Sequence, residues 1–151
     1  MQMVADEKVP HALMLCGPAG CGKLAVALAM ASYLLGDRDE SANANAAAML
    51  AKFQHPDLHF VYPVIRPAGT SSEKKITSDD FTRQWTSLLT ETAYFSFEEW
   101  LNRMEAVNQQ AQIFAAEGDV ITHKLSLKSS QGGYKVCLIW LPERMHTTFA
   151  N

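Results

Sequence analysis

At 151 residues and 48% hydrophobic, the chain carries apolar material for one compact domain, residues 1–151, rather than two. Lys and Arg number 13 against 16 Asp and Glu, a formal net charge of -3, so no global basic field concentrates nucleic acid and any DNA contact is local or supplied by partners. The three cysteines, Cys16, Cys21 and Cys137, are odd in number and fit a reducing compartment rather than a disulfide framework. The opening MQMVADEKVPH lacks the basic start and apolar core of a signal peptide. The longest apolar helical run, Leu24 to Leu35, is too short to span a bilayer, so a cytoplasmic protein without membrane contact is expected.

In chain order, His11 to Cys16 is a short apolar run that reads as a strand feeding a glycine loop. Leu24, Ala27, Leu28, Ala31 and Leu35 then recur on one helical face, stopped by Gly36. The alanine-rich stretch 37–53 is expected to be helical in its second half and to end before Pro56, and Leu58 to Pro63 reads as a buried strand. Residues 64–75 have loop composition. Ser78 or Asp79 is placed to cap a helix with Phe81, Trp85, Leu88 and Leu89 inward. A further helix is expected around Phe97, Leu101 and Met104, and another over Asp119 to Lys128 with Val120, Ile121 and Leu125 inward. Gly132 and Gly133 make a turn into Tyr134 to Leu141, an apolar run of the kind buried in a parallel sheet. Strands alternating with helices predict an α/β, three-layer, P-loop-like domain with a mainly parallel sheet. The ending HTTFAN, directly after a strand and without a Gly or Pro stop, suggests a fragment.

The chemistry concentrates at Gly17, Pro18, Ala19, Gly20, Cys21, Gly22, Lys23 and Leu24, which fit G-x-x-x-x-G-K followed by an apolar residue. Glycines let backbone wrap around phosphate oxygens, a helix starting at once aims free amides at the anion, and the lysine reaches the outer phosphates. The hydroxyl that ordinarily follows the lysine ligates Mg²⁺, and an acid at a neighbouring strand end supports the same ion. Leu24 offers no oxygen. Trp140 and Leu141 stand at the natural acid positions, with only Glu143 nearby. The site therefore reads as a remnant for catalysis that retains the means to hold ATP, ADP or phosphate, and Trp140 reads as a core or interface aromatic.

These segments, VPHALMLCGPAGCGKLAVALAMASYLL, HPDLHFVYP and KLSLKSSQGGYKVCLIWLPERMHTTFAN, resemble the N-terminal AAA+ domain of the bacterial DNA polymerase III delta-prime subunit, in its Bacteroidetes-type form. The resemblance runs from about Val9 to the end. It implies a clamp-loader subunit that does not itself hydrolyse ATP, with gamma/tau-type and delta-type subunits as partners and the sliding clamp and primed DNA reached through the complex. It places Gly17, Gly20, Gly22 and Lys23 in the Walker A loop, Trp140 and Leu141 at the Walker B acids, and Glu143 at a later, structural acid. Relatives often carry a four-cysteine zinc module before HPD; SANANAAAMLAKFQHPD has no cysteine, so no zinc is expected. The Ser-Arg-Cys motif, sensors, lid and oligomerisation domain of that family would lie beyond Asn151.

Other constellations carry blander readings. His55 and His59 have helical metal-ligand spacing, but Pro56 makes HPD a turn entering a strand. Cys21 at a helix start could be reactive, against simple packing for Cys16 and Cys21. His11 is either a base contact or the start of a strand. Lys74, Lys75, Lys124 and Lys128 are local basic spots, better read as a solvated face than as DNA contacts. An active ATPase with substitute Mg²⁺ ligands, or a small nucleotide kinase using Arg66 or Arg83, are the alternative functions. The stretch from Thr70 to Glu117 is expected to be an insertion packed on the sheet.

Overall fold

The computed structural model describes residues 9–36, 44–71, 73–130 and 133–150. Its elements are α1 (Lys23–Leu35), α2 (Ala44–Ala51), β1 (Leu58–Val61), α3 (Thr82–Glu91), α4 (Phe97–Arg103), α5 (Ala116–Ser126), β2 (Val136–Ile139) and the short α6 (Thr147–Ala150). Single 3-10 turns at Ser78–Phe81 and Pro142–Arg144 precede α3 and follow β2. Strands β1 and β2 pair in parallel, Leu58 opposite Val136 and Val61 opposite Ile139, so the long connection between them must cross over the sheet.

Side-chain alternation then builds layers on both faces. Leu58, Phe60, Val136 and Leu138 meet Ala31 and Leu35 of α1 and Leu50 of α2. Val61 and Cys137 point the other way, onto Ile113, Ile121, Met145 and Phe149. The fold is thus α/β with a small parallel sheet between helices, as the sequence predicts. Backbone stitches hold the flanks: Val64 and Gln112 exchange both hydrogen bonds at 3.0 Å, and Ile113 binds the Arg144 carbonyl at 2.9 Å.

The largest core is supplied by the stretch between β1 and α5. Phe81, Trp85, Leu88 and Leu89 of the α3 region and Trp100 and Met104 of the α4 region bury against Tyr62, Val64 and Ile65 beyond β1. Tyr62 stacks on Trp85 at 4.0 Å, and Trp100 meets both rings edge-on. Such pairs add to the area term because ring edges and faces carry opposite partial charge. The expected packing of residues 70–117 on the sheet is therefore found.

Four expectations need correction. His11 to Cys16 is extended but joins no ladder among the described residues, and Leu13 and Met14 are 50% and 75% exposed. An apolar run makes a strand only where an edge is available to pair with it. Ile121 is buried as expected, but Leu125 is 44% exposed, one turn further on and next to the last residue of α5, Ser126. Neither Ser78 nor Asp79 caps α3, which Phe81 precedes; Thr77 caps the 3-10 turn before it, its N–H held by the Asp80 carboxylate at 3.0 Å. The β2 side chains are half-buried rather than buried, and Ile139 is 42% exposed. Residues 37–43 and Gly132 lie outside the described residues.

Candidate functional site: the glycine loop and its surroundings

The loop leads directly into α1, with Gly22 preceding the helix in the left-handed region at φ 86°. A β-carbon at Gly22 would be strained there and would sit 3.4 Å from the Tyr94 ring. One at Gly17 would come within 2.9 Å of the Cys21 sulfur, so the loop closes tightly only as glycine. No side chain caps the first turn of α1. Lys23 turns back over the loop: its ammonium donates to the carbonyls of Gly17 at 2.8 Å and Pro18 at 2.6 Å, and lies 3.7 Å from Cys21 Sγ. An arriving phosphate would exchange those bonds to neutral carbonyls for bonds to an anion.

The residues fit a phosphate and do not fit its Mg²⁺. Leu24 is packed against the main core. Trp140 at the end of β2 lies 5.4 Å from Trp85, 5.2 Å from Phe95 and 6.4 Å from Phe97, ring centre to ring centre. Its reading as a core aromatic agrees with this placement. Leu141 follows in the left-handed region at φ 56°, a conformation costing roughly 1 kcal/mol in a residue with a β-carbon. Glu143 is exposed in the turn beyond. A site that holds Mg²⁺ needs hard oxygen ligands; the side chains of Leu24, Trp140 and Leu141 supply none, and Glu143, the one carboxylate among these positions, is exposed in the turn.

Among the described residues no cluster of His, Cys, Asp and Glu side chains could hold a metal ion. His55 and His59 straddle a turn in which the Leu58 N–H reaches the His55 carbonyl at 3.0 Å, as expected of HPD. Cys16 and Cys21 are exposed, so simple core packing does not describe them. Cys137 is different, its thiol pushed up to about 11 by burial and then by nearby Glu117, which makes it a poor nucleophile. The lysines are tied up: Lys74 pairs with Asp80 at 3.2 Å, Lys75 with Asp119 at 3.1 Å, and Lys124 with Asp79 at 2.6 Å. Lys128 and His11 are exposed. Arg66 binds the Ser71 and Lys74 carbonyls and covers the Phe114 ring, which fixes a loop, and Arg83 is exposed on α3.

Two polar ties escaped sequence reading. Asp57 is buried and accepts from the Ser130 N–H at 2.9 Å and its hydroxyl at 3.1 Å, while its carbonyl receives the Val136 N–H at 2.9 Å. The aspartate of HPD thus aligns β2 beside β1. Ser78 is a buried junction: its N–H donates to Glu117 Oε2 at 2.8 Å, its hydroxyl accepts from the Tyr62 N–H, and its carbonyl accepts from the Tyr62 hydroxyl at 2.7 Å. Burial holds Tyr62 and Glu117 above their ordinary pKa ranges.

A glycine loop opening an amphipathic helix, in an α/β domain with a parallel sheet, defines the general class. Within it, the chain belongs to the family described as DNA polymerase III, delta subunit, whose model matches residues 1–151. The chain is therefore of the clamp-loader-related kind, with a role in clamp loading and other subunits of that complex as plausible partners. Comparison with curated proteins and with solved structures yields no match. Among the described residues no helix is long and apolar enough to cross a membrane.

Proposed function

We propose that this chain is a delta-prime-type subunit of the DNA polymerase III clamp loader, of the Bacteroidetes-like form, and that it serves as a cytoplasmic, non-hydrolysing AAA+ scaffold. Its partners are gamma/tau-type and delta-type subunits, and it reaches the sliding clamp and primed DNA through them. The observation that carries the reading is the double loss of metal support: Leu24 is built into the core, and Trp140 is built into an aromatic cluster. Without a held Mg²⁺ or a carboxylate to orient water, phosphoryl transfer loses its main sources of stabilisation. Residues 17–24 keep enough amide and ammonium character to bind ATP, ADP or phosphate weakly. The exposed apolar residues Val26 and Tyr33, seven apart on α1, suit an assembling subunit.

Calorimetric titration of ATP, with and without Mg²⁺ and beside Lys23→Ala, tests the loop. Weak binding that ignores Mg²⁺ and disappears in the variant is expected. Tight, Mg²⁺-dependent binding with turnover would replace this reading with an active ATPase, and turnover only with an added acceptor would replace it with a nucleotide kinase. Copurification with the other clamp-loader subunits tests the assembly role.

A further inference from the structure

Tyr94 belongs to the linker between α3 and α4, far along the chain from the glycine loop, yet its side chain lies against that loop. A β-carbon built on Gly22 would meet three Tyr94 atoms first: Cε1 at 3.4 Å, the hydroxyl oxygen at 3.6 Å and Cζ at 3.9 Å. It is thus the hydroxyl end of the ring that faces the start of α1.

The linker is pinned on both sides of Tyr94. The Thr92 N–H bonds the Leu88 carbonyl at 3.0 Å to close α3, the Tyr94 N–H donates to the Thr92 hydroxyl at 3.0 Å, and Ser96 and Glu99 cap α4 reciprocally. Phe95 packs on Trp85 and Trp140, with ring centres 5.6 and 5.2 Å away. Its neighbour Tyr94 is left outside the core, 66% exposed, and its hydroxyl makes no hydrogen bond among the described residues.

The chemistry of the loop suits such a donor. Leu24, Trp140 and Leu141 bring no oxygen for a metal ion that would share a phosphate's charge, which leaves Lys23 as the loop's own cation. The first turn of α1 has no side-chain cap, so its amides are free to donate. These amides and the phenol oxygen meet at Gly22, where one anion can engage them together. A phenol O–H is a donor to anionic oxygen that needs no metal, and bonds to a charged acceptor are roughly twice as strong as neutral ones.

From this placement, and resting on the reading of residues 17–24 as a phosphate site, we infer that Tyr94 is a further phosphate ligand whose hydroxyl donates to the group held by the loop amides and Lys23. The chemistry recognised is an anionic phosphate, free or carried by a nucleoside, bound without Mg²⁺.

Calorimetric titration of the full chain with inorganic pyrophosphate, ADP and adenosine, all without Mg²⁺, tests this beside Tyr94→Phe and Lys23→Ala. Phenylalanine keeps the ring against Gly22 and removes only the hydroxyl. The expected result is binding of pyrophosphate and ADP but not adenosine, weakened about three- to tenfold by Tyr94→Phe and abolished by Lys23→Ala. With tyrosines isotope-labelled at Cζ, pyrophosphate should move the Tyr94 resonance saturably and leave that of Tyr62 still, because the Tyr62 hydroxyl is committed to the Ser78 carbonyl at 2.7 Å. Phosphate binding that Tyr94→Phe does not change would overturn the inference and leave the phosphate-site reading standing. Weakened binding with a motionless Tyr94 resonance would overturn it too, and assign the effect to loop packing. A loss confined to ADP would assign Tyr94 to the nucleoside and end its role as a phosphate ligand. Failure of the native chain to bind either phosphate would overturn the phosphate-site reading and this inference with it.

Discussion

The glycine loop and the stretch between β1 and α5 are opposites. None of residues 9–22 is buried, whereas the stretch from Ile76 to Ala106 supplies Ile76, Phe81, Trp85, Leu88, Leu89, Trp100 and Met104 to the largest core. The recognisable motif sits in the less packed region, and the stretch with no recognisable motif holds the molecule together. A phosphate loop is conspicuous because its chemistry demands particular residues at fixed spacing. A core demands only apolar side chains of suitable volume, so many sequences satisfy it and none announces it.

The contrast is broken most directly by stability. Trp100 is fully buried and its N–H is bonded to Pro63, so Trp100→Ala should lose about 3–5 kcal/mol. Lys23→Ala should change stability by less than about 0.5 kcal/mol, since it removes only bonds within an exposed loop. Denaturant titration of both variants decides it, and comparable losses would mean that the loop is part of the cooperative core. Next in size is Asp57→Ala, expected to cost about 2 kcal/mol by leaving Ser130 without its acceptor at the entrance to β2. A double-mutant cycle with Ser130→Ala should recover only the hydroxyl's share of that loss as coupling energy, because the Ser130 N–H remains in the alanine variant.

A pH effect sharpens the same comparison, because it arises at Glu117, on the buried side. Desolvation raises the Glu117 pKa above its unfolded value. The native state then holds the proton more tightly than the unfolded chain does. Its stabilising contribution is complete below the unfolded carboxylate pKa and is lost as pH rises through the higher folded value. Glu117→Gln keeps an acceptor for the Ser78 N–H but does not titrate. Its stability relative to wild type should therefore improve as pH rises from 4 toward neutrality, by the order of 1 kcal/mol per unit of pKa shift. A difference that stays flat over that range would mean that Glu117 titrates normally.

How far the sequence could be read follows from which properties are local. Helix α1 was legible because Leu28, Ala31 and Leu35 repeat at helical spacing and Gly36 ends the run. Strand β1 was legible from an apolar run bounded by HPD and Pro63. The segment His11 to Cys16 was misread because pairing belongs to two segments, and one run of apolar residues does not name its partner. Leu125 was misplaced because periodicity gives its face, the one it shares with buried Ile121, but not how far along α5 the covering neighbours extend. The metal-site defects at Leu24, Trp140 and Leu141 were visible as missing oxygens. The burial of Glu117 against Ser78, and the approach of Tyr94 to Gly22, rest on contacts between distant residues that no local pattern encodes.

A smaller loss than those of Trp100→Ala and Asp57→Ala is expected where the end of β2 meets α4. Arg144, just past β2, places its guanidinium carbon 3.7 Å from the centre of the Phe97 ring at the start of α4. Because Arg144 is exposed, the attraction of the cation for the ring face is worth about 0.5–1 kcal/mol, and Arg144→Ala should lose that amount. Arg144→Leu separates the contributions, since it keeps apolar contact with the ring and removes the charge. If the stack matters, the alanine and leucine variants both lose stability, and each loss shrinks in a Phe97→Leu background. A loss that is the same in either background would assign the effect to Arg144's own turn. The junction would then transmit nothing between β2 and α4.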